Sequence, residues 1–292
     1  MNSLNYAQTL AKEISVISHY GLPIVATVYF PVKEEYSEKK LFPAVIFAHG
    51  FKGFKDWGGF PYLLDRLAKK GFVTIGFNFS HNGITPETPC EFSRPDLFAM
   101  NTISKELDDL NCLIDYVVKN SGEFKINNNH ISLIGHSRGG GTSIIKASED
   151  SRVKSLITLA SVAAFDRYTE KQKSLWREKG YLEVPNVRTG QIMRMNLTYL
   201  EDLEKNHERL DICKAVKKLK IPFLIIHGRE DLSVRYTDAE ILYSFADKKN
   251  AEIHILENTG HTFGTEHPFK GTTPAFEKVI DLCADFLLRQ QG

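Results

Sequence analysis

Cysteine is scarce in this chain and widely spaced. The 292 residues include four cysteines, at positions 90, 112, 213 and 283, and no two of them form a C-x-x-C pair. Zinc sites and redox motifs need closely spaced cysteines, and disulfide-stabilised domains need many of them. The sequence therefore predicts neither a metal site nor a disulfide framework, and it favours a reducing, cytoplasmic location.

Net charge and long hydrophobic runs are also lacking. Lys and Arg total 37 against 36 for Asp and Glu, which leaves a net charge of +1. A chain without a basic excess has no general attraction for nucleic acid or anionic membranes. No apolar run approaches the roughly 20 residues of a membrane span, and the start, MNSLNYAQTLAKEISVIS, lacks the pattern of a secretory signal. We therefore expect no nucleic-acid partner, no membrane partner and no secretory leader.

What the chain does contain is a series of short apolar runs. Two β-rich segments, 13–18 and 24–30, flank a turn and predict an antiparallel N-terminal hairpin. Further runs follow at 44–48, 72–79, 131–134, 155–160, 222–226 and 251–256. Runs that are apolar on both faces and alternate with helices are typical of a mostly parallel sheet covered by helices on both sides. The sequence predicts a single α/β domain over residues 1–292.

Several of the intervening segments have helical spacing. In residues 103–118, apolar side chains recur at i, i+3, i+4 and i+7 and form one stripe. The segments 60–70, 139–148, 238–246 and 276–288 also favour helix.

Residues 162–214 form a long, charged insert between the fourth and fifth of the six later runs. Gly180, Pro185 and Gly190 interrupt it. Because a structureless loop of this length is unusual inside a compact domain, we expect a mostly helical insert. It is a candidate lid over a site, and a helical decoration of the fold is the alternative.

One serine lies between two glycines in the stretch LIGHSRGGGTS at positions 133–143. Ser137 follows an apolar run and precedes a helical segment, which is the strand–turn–helix context of a nucleophile elbow. The turn is strained and crowded, so glycine belongs at positions 135 and 139. Ser137 is therefore a candidate nucleophile, and the backbone N–H of Arg138, at the start of a helix, is a candidate oxyanion donor.

A serine nucleophile needs a general base and a group that orients the base. The last two apolar runs are followed by HGRED and ENTGH, which offer both. His261 and His267 compete for the role of base, and we favour His261 because it follows Gly260 at the strand exit. Glu230 and Asp231 are adjacent, and the residues alone leave both open as the acid.

These motifs resemble those of the α/β-hydrolase superfamily. The resemblance covers nearly the whole chain and rests on HGFKG at 49–53, GHSRGG at 135–140, HGRED at 227–231 and GHTF at 260–263. It implies the α/β-hydrolase fold, with a catalytic triad of Ser137, Asp231 and His261 in the chain order of the family. It also implies that the backbone N–H of Phe51 is an oxyanion donor beside that of Arg138.

The motif set looks most like that of the dienelactone-hydrolase-related esterases, which include cinnamoyl and feruloyl esterases. A serine nucleophile departs from the superfamily's dehalogenases and epoxide hydrolases, which attack with Asp, and from dienelactone hydrolases proper, which use Cys. The resemblance implies hydrolysis of a small-molecule ester of an acyl or aryl acid through an acyl-enzyme, without a cofactor. A thioesterase, an acylaminoacyl-type peptidase or amidase, and a non-catalytic ligand-binding protein are the alternatives.

The substrate pocket is less clearly marked. Residues 80–98 follow a strand end, where open α/β sheets bind ligands, and they include His81 and Phe92. In the insert, Trp176 and Met193 belong to an aromatic and adaptable set suited to an acyl or aryl group. The rest of that set is Tyr181, Met195 and Tyr199. Packing of the insert onto the body explains these residues equally well.

Three cations lie close in sequence to the candidate catalytic residues: Lys52, Lys55 and Arg138. They would suit an acidic substrate, but exposed cations usually belong to a solvated surface. We therefore expect them to be solvated. The sequence ranks no acyl-chain length and is silent on the oligomeric state.

Overall fold

The computed structural model of the protein describes residues 9–32 and 41–291. Residues 1–8, the first part of the segment considered above as a leader, lie outside the described residues. A central sheet of eight strands organises the described chain. Its strands are β1 (Ala11–Ile17), β2 (Pro23–Tyr29), β3 (Phe42–Ala48), β4 (Val73–Phe77), β5 (Ile126–His136), β6 (Val153–Leu159), β9 (Phe223–Gly228) and β10 (Ala251–Leu256). A separate pair, β7 (Tyr181–Pro185) and β8 (Ile192–Asn196), is antiparallel.

The strand order is β1-β2-β4-β3-β5-β6-β9-β10. The pairs β1–β2 and β2–β4 are antiparallel, and the remaining pairs of the central sheet are parallel. The predicted N-terminal hairpin and the predicted, mostly parallel sheet are therefore confirmed. Because parallel strands end at the same edge, the carboxyl ends of β3, β5, β6, β9 and β10 all lie along one side of the molecule.

Helices cover both faces of this sheet. They are α1 (Phe60–Ala68), α2 (Pro95–Ala99), α3 (Ile103–Lys119), α4 (Arg138–Glu149), α5 (Glu170–Lys179), α6 (Leu197–Lys205), α7 (Ile212–Lys218), α8 (Thr237–Phe245) and α9 (Pro274–Arg289). Strand alternation divides the core: Val45 and Phe47 of β3 pack with α1 and α9, whereas Ala44 and Ile46 pack on the opposite face with α3 and α4. None of the helices in the described ranges is long and apolar enough to cross a membrane.

Helix α3 illustrates how local sequence sets these elements. The Thr102 side chain accepts the backbone N–H of Lys105 and caps the first turn. The apolar stripe predicted over 103–118 is buried: Ile103, Leu107 and Leu110 have no exposed surface. Such burial stabilises a helix by roughly 1.5–3 kcal/mol per large side chain, as an upper estimate.

The segment 162–214 lies between β6 and β9 and contains α5, β7, β8, α6 and the first three residues of α7. Sequence reasoning did not anticipate the β7–β8 hairpin. In β8, Met193 and Met195 alternate with exposed residues, which is the period of a strand. This short alternation was hard to recognise within a charged segment. All four cysteines are free thiols.

Candidate active site

Ser137 occupies the sharp turn between β5 and α4. The strand ends at His136 and the helix begins at Arg138, so the chain changes direction at one residue. The backbone of Ser137 has φ 56° and ψ −119°, a conformation that costs a non-glycine residue on the order of 1–3 kcal/mol. Its N–H donates to the carbonyl oxygen of Leu159 at 2.9 Å, which ties the turn to β6. The turn thus holds Ser137 at the carboxyl edge of the sheet.

Glycine at positions 135 and 139 allows three backbone segments to meet at this turn. A Cβ on Gly135 would lie 2.3 Å from the carbonyl oxygen of Gly139. A Cβ on Gly139 would lie 2.4 Å from the carbonyl oxygens of Ala48 and His49. These distances are far inside van der Waals contact, so any side chain there would displace α4 from the sheet.

His261 and Asp231 form a close pair at the same edge. Asp231 follows β9 and His261 follows β10, which are neighbouring parallel strands. Nδ1 of His261 lies 2.7 Å from Oδ2 of Asp231. Because an ionised carboxylate can only accept, Nδ1 is the protonated nitrogen of the neutral ring, and Nε2 keeps a lone pair. Ser137 and His261 line the same cavity.

The Asp231 carboxylate is buried and receives donors on both oxygens. Oδ1 accepts the backbone N–H groups of Ser233 and Val234, at 2.8 and 2.9 Å. Oδ2 also lies 3.2 Å from Nε2 of His227. Burial by itself raises the pKa of Asp231, but the hydrogen bonds from His227 and His261 outweigh it and hold the pKa well below its usual range. Asp231 is therefore ionised at neutral pH and able to orient an imidazole.

Glu230, the other candidate acid, has a different role. Its two carboxylate oxygens accept the backbone N–H groups of Asn258 and Thr259, at 3.1 and 2.6 Å. These residues belong to the loop between β10 and His261. Glu230 thus anchors the loop that carries His261.

His267, the other candidate base, is also engaged elsewhere. Its Nδ1 accepts the backbone N–H of Gly58 at 3.1 Å, and its ring stacks on Trp57 with centroids 6.1 Å apart. Burial lowers the pKa of His267 below its ordinary value. The structure brings His261, and not His267, into contact with Asp231.

Two further histidines support the pair, and sequence reasoning did not assign them this role. Nε2 of His136 lies 2.9 Å from the carbonyl oxygen of His261, and the two rings are 4.7 Å apart. Burial and the neighbouring His261 lower the pKa of His136 to about 3, so its ring is neutral at pH 7. Nε2 of His227 lies 2.9 Å from the carbonyl oxygen of Val234. The motif positions were visible in the sequence, but these contacts depend on how the loops pack.

The loop after β3 passes directly beside Ser137. A Cβ on Gly50 would lie 2.8 Å from the Cβ of Ser137, so only glycine permits this approach. Phe51, the next residue, lines the cavity. Arg138 is the first residue of α4, so its N–H has no acceptor within the helix. Both predicted oxyanion donors thus belong to residues on the cavity wall.

A cavity of about 350 Å³ opens at Ser137, a size that suits a small organic molecule. The segment 162–214 supplies Val162, Ala164, Phe165, Arg167, Tyr168 and Tyr199 to its walls. The other lining residues are Phe51, Lys52, Ser137, Arg138, Ser233, Val234 and His261. Across residues 9–32 and 41–291, no group of three or more His, Cys, Asp or Glu side chains is placed to hold a metal ion.

The structure does not bring the four predicted substrate contacts to this cavity. His81 and Phe92 are buried among the loops that follow β4, and Met193 is buried in β8. Trp176 is fully buried and stacks on Tyr199 with ring centroids 5.9 Å apart. Tyr199, another member of the aromatic set, is the one that reaches the wall. Packing of the insert and loops onto the body accounts for all four positions.

Two of the three cations expected to be solvated are buried instead. Nζ of Lys55 lies 2.8 Å from a carboxylate oxygen of Asp56. Nη2 of Arg138 lies 2.5 Å from Oε1 of Glu106, a carboxylate that is 1% exposed. Arg167 lines the cavity, but sequence reasoning did not select it. It follows the carboxyl end of β6, and the ends of parallel strands are where open α/β sheets bind ligands.

The sequence of the chain is similar to a family model and to curated proteins. The BD-FAE family model matches residues 96–245, slightly more than half of the chain. Over 141 residues, 48% of this chain and 42% of the relative, the sequence is 28% identical to "Uncharacterized protein YcjY" of Escherichia coli strain K12. The chain spans less than half the length of the curated relatives that it matches.

Two solved structures share the fold. Est1E from Butyrivibrio proteoclasticus has a TM-score of 0.69 and 19% identity, with 96% of this chain and 98% of that chain covered. A further structure of Est1E holds ferulic acid. The α/β hydrolase GrgF from Penicillium sp. sh18 has a TM-score of 0.69 and 18% identity, with 96% and 99% covered. The predicted α/β-hydrolase fold is therefore confirmed.

Proposed function

The chain belongs to the BD-FAE family, and on that premise we propose that it hydrolyses carboxylic esters of small acyl or aryl acids with Ser137 as the nucleophile. The observation that carries this proposal is that Ser137, in a strained turn, lines one cavity together with His261, whose ring is hydrogen-bonded to Asp231. A nucleophile, a base and an orienting acid are the parts of a serine-hydrolase mechanism.

The first half of the reaction forms an acyl-enzyme. Oγ of Ser137 attacks the ester carbonyl carbon, and Nε2 of His261 takes the hydroxyl proton. Asp231 accepts from Nδ1, which keeps the ring in the required tautomer and stabilises the imidazolium that forms. The tetrahedral intermediate then collapses, and the alcohol leaves with the proton that His261 holds.

The backbone N–H groups of Arg138 and Phe51 stabilise the negative oxygen of that intermediate. Each such donor commonly contributes about 3–4 kcal/mol to the transition state, because it is already oriented. The position of Arg138 at the start of α4 adds the favourable end of the helix dipole. The close passage of Gly50 beside Ser137 supports the assignment of Phe51.

The second half of the reaction consumes water. His261 removes a proton from a water molecule, the hydroxide attacks the acyl carbon, and Ser137 leaves with the proton returned by His261. The free acid departs and the enzyme is regenerated. Every proton is accounted for by Ser137, His261 and water, so the steps need no cofactor.

The cavity walls favour an acyl or aryl group of modest size. Phe51, Phe165, Tyr168 and Tyr199 give them an aromatic character. Est1E, which shares the fold, holds an aromatic acid. The same proposal includes the segment 162–214 as a cap on the body of a single domain, since it supplies about half of the lining residues.

The test compares the wild type with Ser137→Ala on p-nitrophenyl acetate, butyrate and octanoate. We expect kcat/KM to fall by at least about a thousandfold in the variant, because the acyl-enzyme can no longer form. Ser148→Ala is the matched control: Ser148 lies near the other end of α4, and its hydroxyl donates only to the carbonyl oxygen of Ile145. Turnover that survives in Ser137→Ala would rule out Ser137 as the nucleophile.

Parallel assays on an acyl-CoA and on an aminoacyl anilide separate the alternatives. The same residues can attack a thioester or an amide, so relative kcat/KM values identify the preferred bond. A wild type that binds these compounds without turning over any of them would indicate a ligand-binding protein instead.

A further inference from the structure

The cavity at Ser137 has an unbalanced charge. Three cations, Lys52, Arg138 and Arg167, line it together with His261, and its lining within the described residues includes no Asp or Glu. In a cleft with low-dielectric walls, such an excess of one sign produces a strong local potential. The net charge of the whole chain, only +1, conceals this feature.

Arg138 contributes little to the excess, because its charge is balanced behind the cavity wall. Its guanidinium pairs with Glu106, and its plane lies over the ring of Phe51 at 4.5 Å. Glu106 also accepts from Asn101 and Thr142. Arg138 is therefore a fixed part of the wall and presents little uncompensated charge.

Lys52 and Arg167 are compensated much less. Nζ of Lys52 donates to the carbonyl oxygen of Pro185 at 3.0 Å and lies 5.6 Å from the ring centre of Phe51, and neither partner is an anion. Nη1 of Arg167 lies 3.5 Å from Oδ2 of Asp238, outside normal hydrogen-bond distance. Partial burial lowers the pKa of Lys52 below its ordinary value, which agrees with an ammonium that contacts a carbonyl oxygen and an aromatic ring.

We propose that the natural substrate is an ester that also carries a carboxylate, and that Lys52 and Arg167 hold this carboxylate at the cavity wall. Glu106 balances Arg138 and Asp238 partly balances Arg167, so the excess lies between one and two positive charges, which is enough to attract a monoanion. The aromatic walls take the apolar part of the molecule. This inference rests on the proposed ester hydrolysis and specifies its substrate class.

Paired esters test the preference. One pair is mono-(4-nitrophenyl) adipate and its methyl ester, which places the carboxylate on the acid side. The other pair is 4-acetoxybenzoate and its methyl ester, which places the carboxylate on the alcohol side. We expect kcat/KM for the anionic ester to exceed that for the neutral ester by about tenfold or more in one pair, since hydrogen bonds to charged groups are strong. That pair identifies the side that carries the carboxylate.

Variants assign the preference to the two cations. In Lys52→Met and in Arg167→Met, the anionic-to-neutral ratio of kcat/KM should fall about tenfold, whereas Lys52→Arg should retain it. Lys154→Met is the matched control, because Nζ of Lys154 also donates to a single carbonyl, that of Ser151, on the exposed surface at the start of β6. A ratio at or below one in both pairs, or a ratio that neither variant lowers, would overturn the proposal.

A binding measurement separates this inference from the proposed function. Calorimetric titration of Ser137→Ala with both esters of each pair needs no turnover. In one pair we expect the anionic ester to bind about tenfold more tightly, and the added Lys52→Met substitution to abolish the difference. Equal affinities within both pairs would count against carboxylate recognition even if the wild type is an esterase. A tenfold difference without turnover in the wild type would support recognition and reject the esterase.

Discussion

At the scale of single residues, the site is organised around one buried carboxylate. Asp231 receives two backbone N–H groups on one oxygen, while His261 and His227 approach the other. His136 holds the backbone of His261 from behind. An imidazole held this firmly has little freedom to rotate, and such preorganisation is what the proposed serine mechanism requires.

The first prediction at this scale separates the two acidic neighbours. Asp231→Asn should lower kcat by about 10³–10⁴-fold, because an amide cannot hold the Nδ1–H tautomer or stabilise an imidazolium. Glu230→Gln should lower kcat by less than about tenfold, because it affects only the loop at Asn258 and Thr259. Steady-state kinetics on one p-nitrophenyl ester measures both. A larger loss in Glu230→Gln would show that the acid is assigned to the wrong residue.

At the scale of elements, helices on one face fix the loops that leave the strands. Helix α3 places Asp109 behind the end of β4, where its carboxyl group accepts the N–H of Ser80 at 2.8 Å and contacts the Ser80 hydroxyl at 3.0 Å. Burial raises the pKa of Asp109 to about 7, although the Ser80 hydrogen bonds oppose the rise. This contact therefore depends on pH near neutrality.

The corresponding prediction concerns stability against pH. The folded protein keeps the Asp109 proton up to about pH 7, whereas the unfolded chain releases it near pH 4, so stability falls as pH rises between these values. Asp109→Asn imitates the protonated form. The free energy of unfolding of this variant should therefore fall by on the order of 1–3 kcal/mol less than that of the wild type between pH 5 and pH 8. Urea unfolding at each pH measures the free energy of unfolding.

Asp115→Asn is the control for this experiment, since Asp115 lies on the same helix and is 52% exposed. Its pH dependence should follow that of the wild type. If the free energy of unfolding of Asp109→Asn falls with pH as steeply as that of the wild type, Asp109 is already ionised in the folded protein at pH 5.

At the scale of the whole molecule, the segment 162–214 is part of the core rather than an appendage. Trp176 of α5 is fully buried, stacks on Tyr199 of α6 and meets Tyr168 edge to face at 5.1 Å. Tyr168 and Tyr199 both line the cavity. The packing of the insert and the shape of the proposed acyl pocket are therefore linked.

This link gives the whole-molecule prediction. Trp176→Ala should destabilise the protein by about 3–5 kcal/mol through the cavity that it leaves. Trp176→Phe should lower the free energy of unfolding by less, since Nε1 of Trp176 has no hydrogen-bond partner among the described residues. Leu175→Ala, on the same helix but 43% exposed, should stay within about 0.5 kcal/mol of the wild type.

Urea unfolding measures the stability of these three variants, and ester kinetics reports the pocket. We expect Trp176→Phe to raise KM more than it lowers kcat, because it loosens Tyr199 without touching Ser137. Equal stabilities of Trp176→Ala and Leu175→Ala would contradict the packing argument.

The sequence by itself determined the sheet and the order of the candidate catalytic residues. Apolar runs with helices between them predict a parallel sheet. The turn around Ser137 is recognisable from the sequence because its glycines and its strand–turn–helix context are local. His261 was favoured for the same reason, since it follows Gly260 at the end of a strand. Only the family resemblance selected Asp231 over Glu230 as the acid. The boundaries differed by a few residues, as in β5, which extends from Ile126 to His136.

Only the tertiary structure decided which residues line the cavity. His81, Phe92, Trp176 and Met193 have the chemistry of contact residues, but packing between segments distant in sequence buries them. The same packing places Arg138 against Glu106, which is 32 positions away, and places Nζ of Lys52 against the carbonyl oxygen of Pro185. A strand or a turn is encoded by neighbouring residues. A cavity is the space left between packed elements, and no local sequence pattern specifies how far apart those elements lie.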